Sequence, residues 1–183
     1  AKDDGIRRFV YATSSSVYGD EATLPKVEDN IGNLLSPYAV TKFTNELYAK
    51  VFERNYQIET VGLRYFNVFG PRQDPNGAYA AVIPKWINLF IENKKVEIYG
   101  DGKTSRDFCY IDNVIQANLL AALSTNENVS GEVYNIAVGV KISLEELAIL
   151  IKENLQTHNI KSNFQIEKKD FRQGDIRHSL ANI

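Results

Sequence analysis

Apolar positions along this chain change period several times, and each change marks an element. Arg7 to Thr13 is a short β-branched and aromatic run that reads as a buried strand. It ends in Ser14-Ser15-Ser16-Val17-Tyr18-Gly19, where hydroxyls and a glycine mark a loop at a strand's carboxyl end. A polar loop follows from Asp20 to Leu35, broken by Pro25 and Gly32. Ser36-Pro37 then opens a helix, with serine as N-cap and proline at the first helical position. Val40, Phe43, Leu47 and Val51 recur at helical spacing and are expected to form its apolar stripe. Thr60 to Asn67 reads as a second strand, closed by Gly70-Pro71. Strand, loop, helix and strand in that order predict a βαβ unit and a parallel sheet.

The middle of the chain is more broken. After a turn-rich segment from Pro71 to Gly77, the pattern predicts a helix over Ala78 to Glu92 despite Pro84, then a strand at Val96 to Tyr99. Gly100-Asp101-Gly102 turns the chain towards a short extended piece, Arg106 to Tyr110. The spacing Gly100-x-Gly102-x-x-Ser105 mimics a nucleotide-binding loop, but it leads into extended chain instead of a helix and is read as a turn. Asp112 is expected to cap a helix from Asn113 to Leu123, and Val133 to Ala137 to form another strand. Ser143 and Glu146 form a capping box ahead of a helix whose Leu144, Leu147, Ala148, Ile151 and Leu155 share one face. The charged tail, Asn163 to Ile183, carries one extended stretch at Phe164 to Glu167.

Composition removes several function classes. The 183 residues carry a net charge of −2, which offers no electrostatic reason to expect nucleic acid or an anionic membrane surface as a partner. Apolar runs are all far shorter than the about 20 residues of a membrane-spanning helix. The Ala-Lys-Asp-Asp-Gly start shows no signal peptide. A single cysteine, Cys109, read as a core residue, cannot form an internal disulfide and fits a reducing, cytoplasmic location. The sequon Asn128-Val129-Ser130 is accordingly read as a chance match. Two unclustered histidines, His158 and His178, predict no metal site.

The residues that carry chemistry are Tyr38-x-x-x-Lys42 at a helix start, with the serine run 22 to 24 residues earlier. Residues four apart share a helix face, so the lysine ammonium can sit beside the tyrosine ring. A neighbouring cation favours a phenolate, which is how a tyrosine becomes a general base near neutral pH. A hydroxyl from the Ser14 loop is suited to hydrogen-bond the same reacting oxygen. Tyr-x-x-x-Lys alone is a weak pattern; its βαβ context and the serine-rich strand end give it weight.

With these motifs in order, the chain resembles the extended short-chain dehydrogenase/reductase family. The resemblance is carried by Thr13 to Gly19, Ser36 to Lys42, Leu63 to Arg72, Gly100 to Phe108, Val133 to Ile136 and Arg172 to Ser179. Within the family it most resembles NAD-dependent UDP-hexose 4-epimerases, especially those acting on N-acetylated sugars. That resemblance implies an α/β fold, with residues 1–70 and 106–140 in part of a Rossmann-type parallel sheet. Residues 71–105 and 141–183 would then form an interleaved, smaller domain that binds the UDP-sugar.

The resemblance also implies roles. Tyr38 is the base at the sugar 4-hydroxyl, Lys42 holds the nicotinamide ribose, and Ser14 is the partner hydroxyl. Ser15 and Ser16 line the sugar pocket, Tyr65 and Val68 lie by the nicotinamide, and Asn67 faces the diphosphate side. Arg106, Arg172 and Asp175 grip the diphosphate and uridine ribose, a task that suits arginine's planar fork. Ala81, Val82 and Glu97 to Tyr99 match the uracil neighbourhood. Ser179 falls where narrower, galactose-type epimerases carry a tyrosine, which favours UDP-GlcNAc/UDP-GalNAc over UDP-Glc/UDP-Gal. Ser15 stands where 4,6-dehydratases and UDP-glucuronate decarboxylases carry an acid, so C4 oxidation and reduction without elimination is the expected chemistry. The intact enzyme is expected to be a homodimer.

Family members begin with a strand, a glycine-rich turn and a helix that hold the NAD pyrophosphate. No such segment occurs here, so the chain is expected to be the later part of an epimerase, binding NAD poorly and having little or no activity by itself. Two alternatives remain open at this point: another NAD-dependent nucleotide-sugar oxidoreductase or epimerase, for instance on a UDP-uronic acid, and a non-catalytic binding protein that keeps the fold.

Overall fold

Residues 1–77, 81–160, 165–171 and 176–183 are described by the computed structural model. In chain order the first elements are β1 (Arg8–Ser14), α1 (Pro37–Tyr56), β2 (Glu59–Tyr65), β3 (Val68–Phe69), α2 (Val82–Ile91) and β4 (Val96–Tyr99). They are followed by β5 (Ser105–Asp107), β6 (Cys109–Tyr110), α3 (Ile111–Leu123) and β7 (Val133–Ile136). The last are β8 (Lys141–Ser143), α4 (Leu144–Thr157) and β9 (Ile166–Lys169).

β1, α1 and β2 are the expected βαβ unit. β1 pairs parallel with β2 from Arg8 opposite Glu59 to Ser14 opposite Tyr65. β2 then pairs parallel with β7, giving the order β1-β2-β7. The central strand is buried from Thr60 to Arg64, as a strand covered on both faces must be. Helices α1 and α3 supply the cover, and Val61, Leu63 and Ala121 form the centre of this core. Arg8 ties the sheet to the end of α3: its Nη1 donates to the carbonyls of Ala121 at 3.0 Å and Ser124 at 2.6 Å. A cation there satisfies carbonyls that the helix end leaves unpaired.

Helix α1 corrects one expectation. Its N-cap is as read, with the Ser36 hydroxyl accepting the Ala39 N–H at 3.1 Å and Pro37 opening the helix. The buried positions, however, are Ala39, Glu46 and Ala49, while Val40, Leu47 and Val51 are each about half exposed (48%, 50% and 50%). The sheet presents Thr13 and Arg64 to this helix, so a carboxylate and two small residues face inward and the bulky stripe faces out.

A second core lies between α2, β4 and α4, where Trp86, Phe90, Val96, Ile98, Leu147, Ala148, Ile151 and Leu155 pack together. Burying a side chain of this size is worth about 1.5–3 kcal/mol, and the cluster anchors β4 through Val96 and Ile98 and β8 through Ile142. The short strands outside the main sheet pair in twos: β3 with β6 and β4 with β9 in parallel, β5 with β8 antiparallel. The capping box on α4 is present, Ser143 and Glu146 satisfying each other's backbone N–H.

Other differences have local causes. Helix α2 begins at Val82, so Pro84 falls in its first turn, where a missing N–H costs nothing; residues 78–80 lie outside the described segments. Tyr110, not Asp112, is the N-cap of α3, and Asp112 sits inside the first turn, where a carboxylate favours the helix dipole. Strand β8 has three residues and no periodicity from which to read it. β9 begins at Ile166, later than expected, and Phe164 lies outside the described residues. The Gly100 to Gly102 segment is a turn into β5, with both glycines at positive φ (87° and 83°). Among the described residues no helix is long and apolar enough to cross a membrane.

Candidate active site

The serine run leaves the carboxyl end of β1 as one 3-10 turn, Ser15 to Tyr18. The Ser14 hydroxyl accepts the Ser16 N–H at 3.2 Å and so caps that turn. Gly19 ends it at φ 56°, where an added Cβ would lie 1.9 Å from the Asn33 carbonyl oxygen. Tyr18 anchors the turn from below. Its ring tilts against Phe66, and its buried hydroxyl donates to Asn135 Oδ1 at 2.6 Å. Burial raises the Tyr18 pKa, which keeps that hydroxyl a donor.

Helix α1 packs against this turn and brings its first residues to the same end of the sheet. Tyr38 is 55% exposed, and the Lys42 Nζ lies 5.7 Å from the centre of its ring. The expected Tyr-Lys juxtaposition is therefore present. Ser16 Oγ is buried and has no hydrogen-bond partner. A buried hydroxyl left unmatched is costly, which sets Ser16 apart from the other described side chains of this turn.

A buried charge pair beneath the turn was not foreseen. Arg64 of β2 donates from Nε and Nη2 to both carboxylate oxygens of Glu46 of α1, at 3.0 and 2.8 Å. The same carboxylate accepts the Thr13 hydroxyl at 2.7 Å, and Arg64 Nη1 reaches the Glu28 carbonyl at 2.7 Å. Both side chains are 3% exposed. Burial would lower the Arg64 pKa, but the hydrogen bonds and charge of Glu46 outweigh it and keep the guanidinium charged. This bracket joins β1 next to Ser14, α1 one turn beyond Lys42, and β2.

Seven of the expected residues meet at one cavity of 590 Å³: Asn67, Val68, Ala81, Val82, Glu97, Tyr99 and Arg106. Trp86 and Phe108 add aromatic walls that the sequence reading missed; Trp86 lies four residues after Val82, one turn along α2, a spacing that would have revealed it. Asn67 follows β2 at φ 32° and donates from Nδ2 to the Asp107 carbonyl at 3.0 Å, which ties β2 to β5. Asp107 is fully buried, and its carboxylate accepts the N–H groups of Val138 and Gly139 at 3.0 Å each and of Ala181 at 3.3 Å. These bonds hold the wall from which Arg106 projects.

Other expected residues stand apart from that cavity. Ser14, Tyr38 and Lys42 form their own group with Ser15 and Ser16 at the ends of β1 and α1. Tyr65, at the end of β2, exchanges hydrogen bonds with the Asn118 side chain at 2.9 and 3.1 Å. Ser179 is buried behind β5, its N–H donating to the Ser105 carbonyl at 3.1 Å. Arg172 and Asp175 lie outside the described residues. His178, given no role from sequence, is hydrogen-bonded through Nδ1 to Ser105 Oγ at 2.9 Å. Cys109 is fully buried, and burial raises its pKa, as befits a core thiol.

A profile described as "NAD dependent epimerase/dehydratase family" matches residues 1–137. Among solved structures, a UDP-N-acetylglucosamine 4-epimerase from Methanobrevibacter ruminantium M1, in complex with UDP-N-acetylmuramic acid, is 41% identical with a TM-score of 0.91. That match covers 100% of this chain and 56% of the other. A UDP-glucose 4-epimerase from Thermotoga maritima with UDP-glucose is 33% identical, with a TM-score of 0.86 over 99% of this chain and 56% of that one. A UDP-glucuronic acid 4-epimerase from Bacillus cereus, with UDP-glucuronic acid and NAD, is 36% identical, with a TM-score of 0.80 over 96% and 52%. The chain spans about half the length of the curated relatives it matches, 45% to 55% in five of them.

Proposed function

Because the chain belongs to the NAD-dependent epimerase/dehydratase family, we propose that it supplies the catalytic residues and the nucleotide-sugar cavity of an NAD-dependent UDP-hexose 4-epimerase. The observation that carries this reading is the division of labour between two separate groups. Ser14, Tyr38 and Lys42 gather at the carboxyl ends of parallel strands, where α/β sheets bind ligands. A separate cavity with aromatic walls and Arg106 lies beyond β2. An epimerase needs both, since the sugar must turn while the rest of the substrate stays anchored.

In this mechanism Tyr38 takes the proton from the sugar O4 and later returns it, with the Ser14 hydroxyl hydrogen-bonded to the same oxygen. Ser15 and Ser16, in the turn that follows Ser14, line the sugar pocket. Asn67 and Arg106 hold the diphosphate, and Ala81, Val82 and Tyr99 enclose the uracil. NAD, when bound, supplies the hydride acceptor and donor for C4. The donor set fits its nicotinamide end: a tyrosine hydroxyl and a lysine ammonium lie on one helix turn, and Tyr65 at the end of β2 and Val68 at the start of β3 follow in the chain. The Gly100 to Gly102 turn leads into a strand, so the pyrophosphate is assigned to no residue described here.

The small Ser179 favours UDP-GlcNAc/UDP-GalNAc, in keeping with the 41% identity to a UDP-N-acetylglucosamine 4-epimerase. The similarity to a UDP-glucuronic acid 4-epimerase supports a UDP-uronic acid as the second reading. Calorimetric titration of UDP, UDP-GlcNAc and UDP-glucuronic acid into the chain tests the cavity. Arg106→Ala is expected to weaken UDP binding about tenfold or more, as loss of a charged hydrogen-bond donor does. Absence of UDP binding at millimolar concentration would overturn the proposal.

A further inference from the structure

Strand β5 has three residues, and each serves the cavity wall differently. Ser105 is 5% exposed and lies opposite His178 in a parallel bridge. Its N–H donates to the Arg177 carbonyl at 2.9 Å, and its carbonyl accepts the Ser179 N–H at 3.1 Å. Its side chain closes the same bridge through the 2.9 Å hydrogen bond with His178 Nδ1. The next residue, Arg106, faces the cavity, and its Nη1 donates to the carbonyl of Ser105 at 3.0 Å and of Arg177 at 3.4 Å. The guanidinium therefore rests on the two carbonyls that the bridge holds in place.

We propose that Ser105 and His178 are a positioning pair that fixes Arg106 at the nucleotide-sugar cavity. The proposal rests on the reading of that cavity as the UDP-sugar site. Against β5 itself, residues 176–179 are held in the backbone by two hydrogen bonds, both on Ser105. The bond between the two side chains adds a third tie at the same place, directly beneath the carbonyls that carry Arg106. The chemistry around the imidazole is consistent with such a role. Arg177, Lys141 and Arg106 surround it with positive charge, Asp101 opposes them, and burial with these cations favours the neutral ring. A neutral ring keeps one nitrogen committed to Ser105 and adds no further cation against Arg106.

The test uses the 183-residue chain with UDP as probe. Ser105→Ala and His178→Ala are each expected to weaken UDP binding about fivefold, the value of one hydrogen bond of ordinary strength. Ser105→Thr, which keeps the hydroxyl, restores binding. The double variant Ser105→Ala/His178→Ala is no weaker than either single one, since both remove the same bond. Failure of threonine to rescue, or independent effects that multiply in the double variant, overturns the proposal. A second measurement does not need UDP: the exchange of the Arg106 side-chain N–H protons and the tautomer of His178, both read by nitrogen-15 NMR. Exchange is expected to quicken in both alanine variants, and one fixed tautomer to become a mixture in Ser105→Ala, with threonine again restoring both. Unchanged Arg106 exchange overturns the positioning role whatever UDP does. If the wild-type chain does not bind UDP but the exchange behaves as expected, the UDP-site reading fails and the pair stands.

Discussion

Replacing Arg64 by methionine tests whether the buried bracket under the serine turn holds the fold as its geometry implies. The substitution removes both hydrogen bonds to Glu46 and the one to the Glu28 carbonyl, and leaves the Glu46 carboxylate with Thr13 alone. Both side chains are 3% exposed, so water cannot replace what is lost. Charged hydrogen bonds are worth about 1.5–3 kcal/mol each, but such losses are not additive, and breaking one side of a buried pair costs about 3–5 kcal/mol. That is a large part of the about 5–15 kcal/mol by which a domain is stable. With a urea dependence near 2 kcal/mol per molar, the unfolding midpoint should fall by about 2 M. Urea titration followed by far-ultraviolet circular dichroism reads this directly. The fluorescence of Trp86, the sole tryptophan, reports in parallel from the other core. The double variant Glu46→Leu/Arg64→Met removes both charges and should recover most of the loss, because neither is then left buried alone. A midpoint shift under 0.5 M for Arg64→Met, by the same about 2 kcal/mol per molar, refutes the reasoning. So does a double variant less stable than Arg64→Met itself.

Three further outcomes are expected. Gly19→Ala places a side chain at φ 56° and against the Asn33 carbonyl; the backbone conformation alone costs about 1–3 kcal/mol, and thermal melting should show a loss beyond that. Ser143→Ala removes the α4 cap and half of its capping box, lowering stability by about 1 kcal/mol in the same measurement. His178 has a folded-state pKa below the ordinary 6.5, chiefly through burial, so the unfolded chain binds its proton first. Its contribution to stability is therefore complete well above the ordinary value and is lost as pH falls through 6.5 towards the folded value. Proton NMR of its ring should show a midpoint below 6.5, and His178→Asn should flatten the acid side of the stability profile; a midpoint at or above 6.5 contradicts this.

Local order was legible wherever the signal is carried by residues near one another in the chain. The βαβ unit, the Ser36-Pro37 helix start and the Ser143-Glu146 capping box are set by backbone propensity and by hydrogen bonds across three or four residues. The serine turn and the Tyr38-Lys42 spacing were legible for the same reason, as one strand end and one helix turn. The family resemblance found in those motifs agrees with the profile match over residues 1–137.

What the tertiary structure decided lies in contacts between distant segments. The stripe Val40, Leu47 and Val51 obeys helical spacing, yet the inward face of α1 is Ala39, Glu46 and Ala49, because Arg64 and Thr13 arrive from two strands and require a carboxylate there. Periodicity records which residues share a face; it carries no information on what the face will meet. Asp107 and the Ser105-His178 pair are alike in this: their partners lie 31 to 74 residues away, and no spacing rule links them. The cavity that gathers Asn67, Val82, Tyr99 and Arg106 draws on four separate segments. The sequence by itself determined most of the elements and the spacing that puts Lys42 beside Tyr38. Their placement depended on burying charges and hydroxyls only where a distant partner could satisfy them, a condition that only the folded chain can meet.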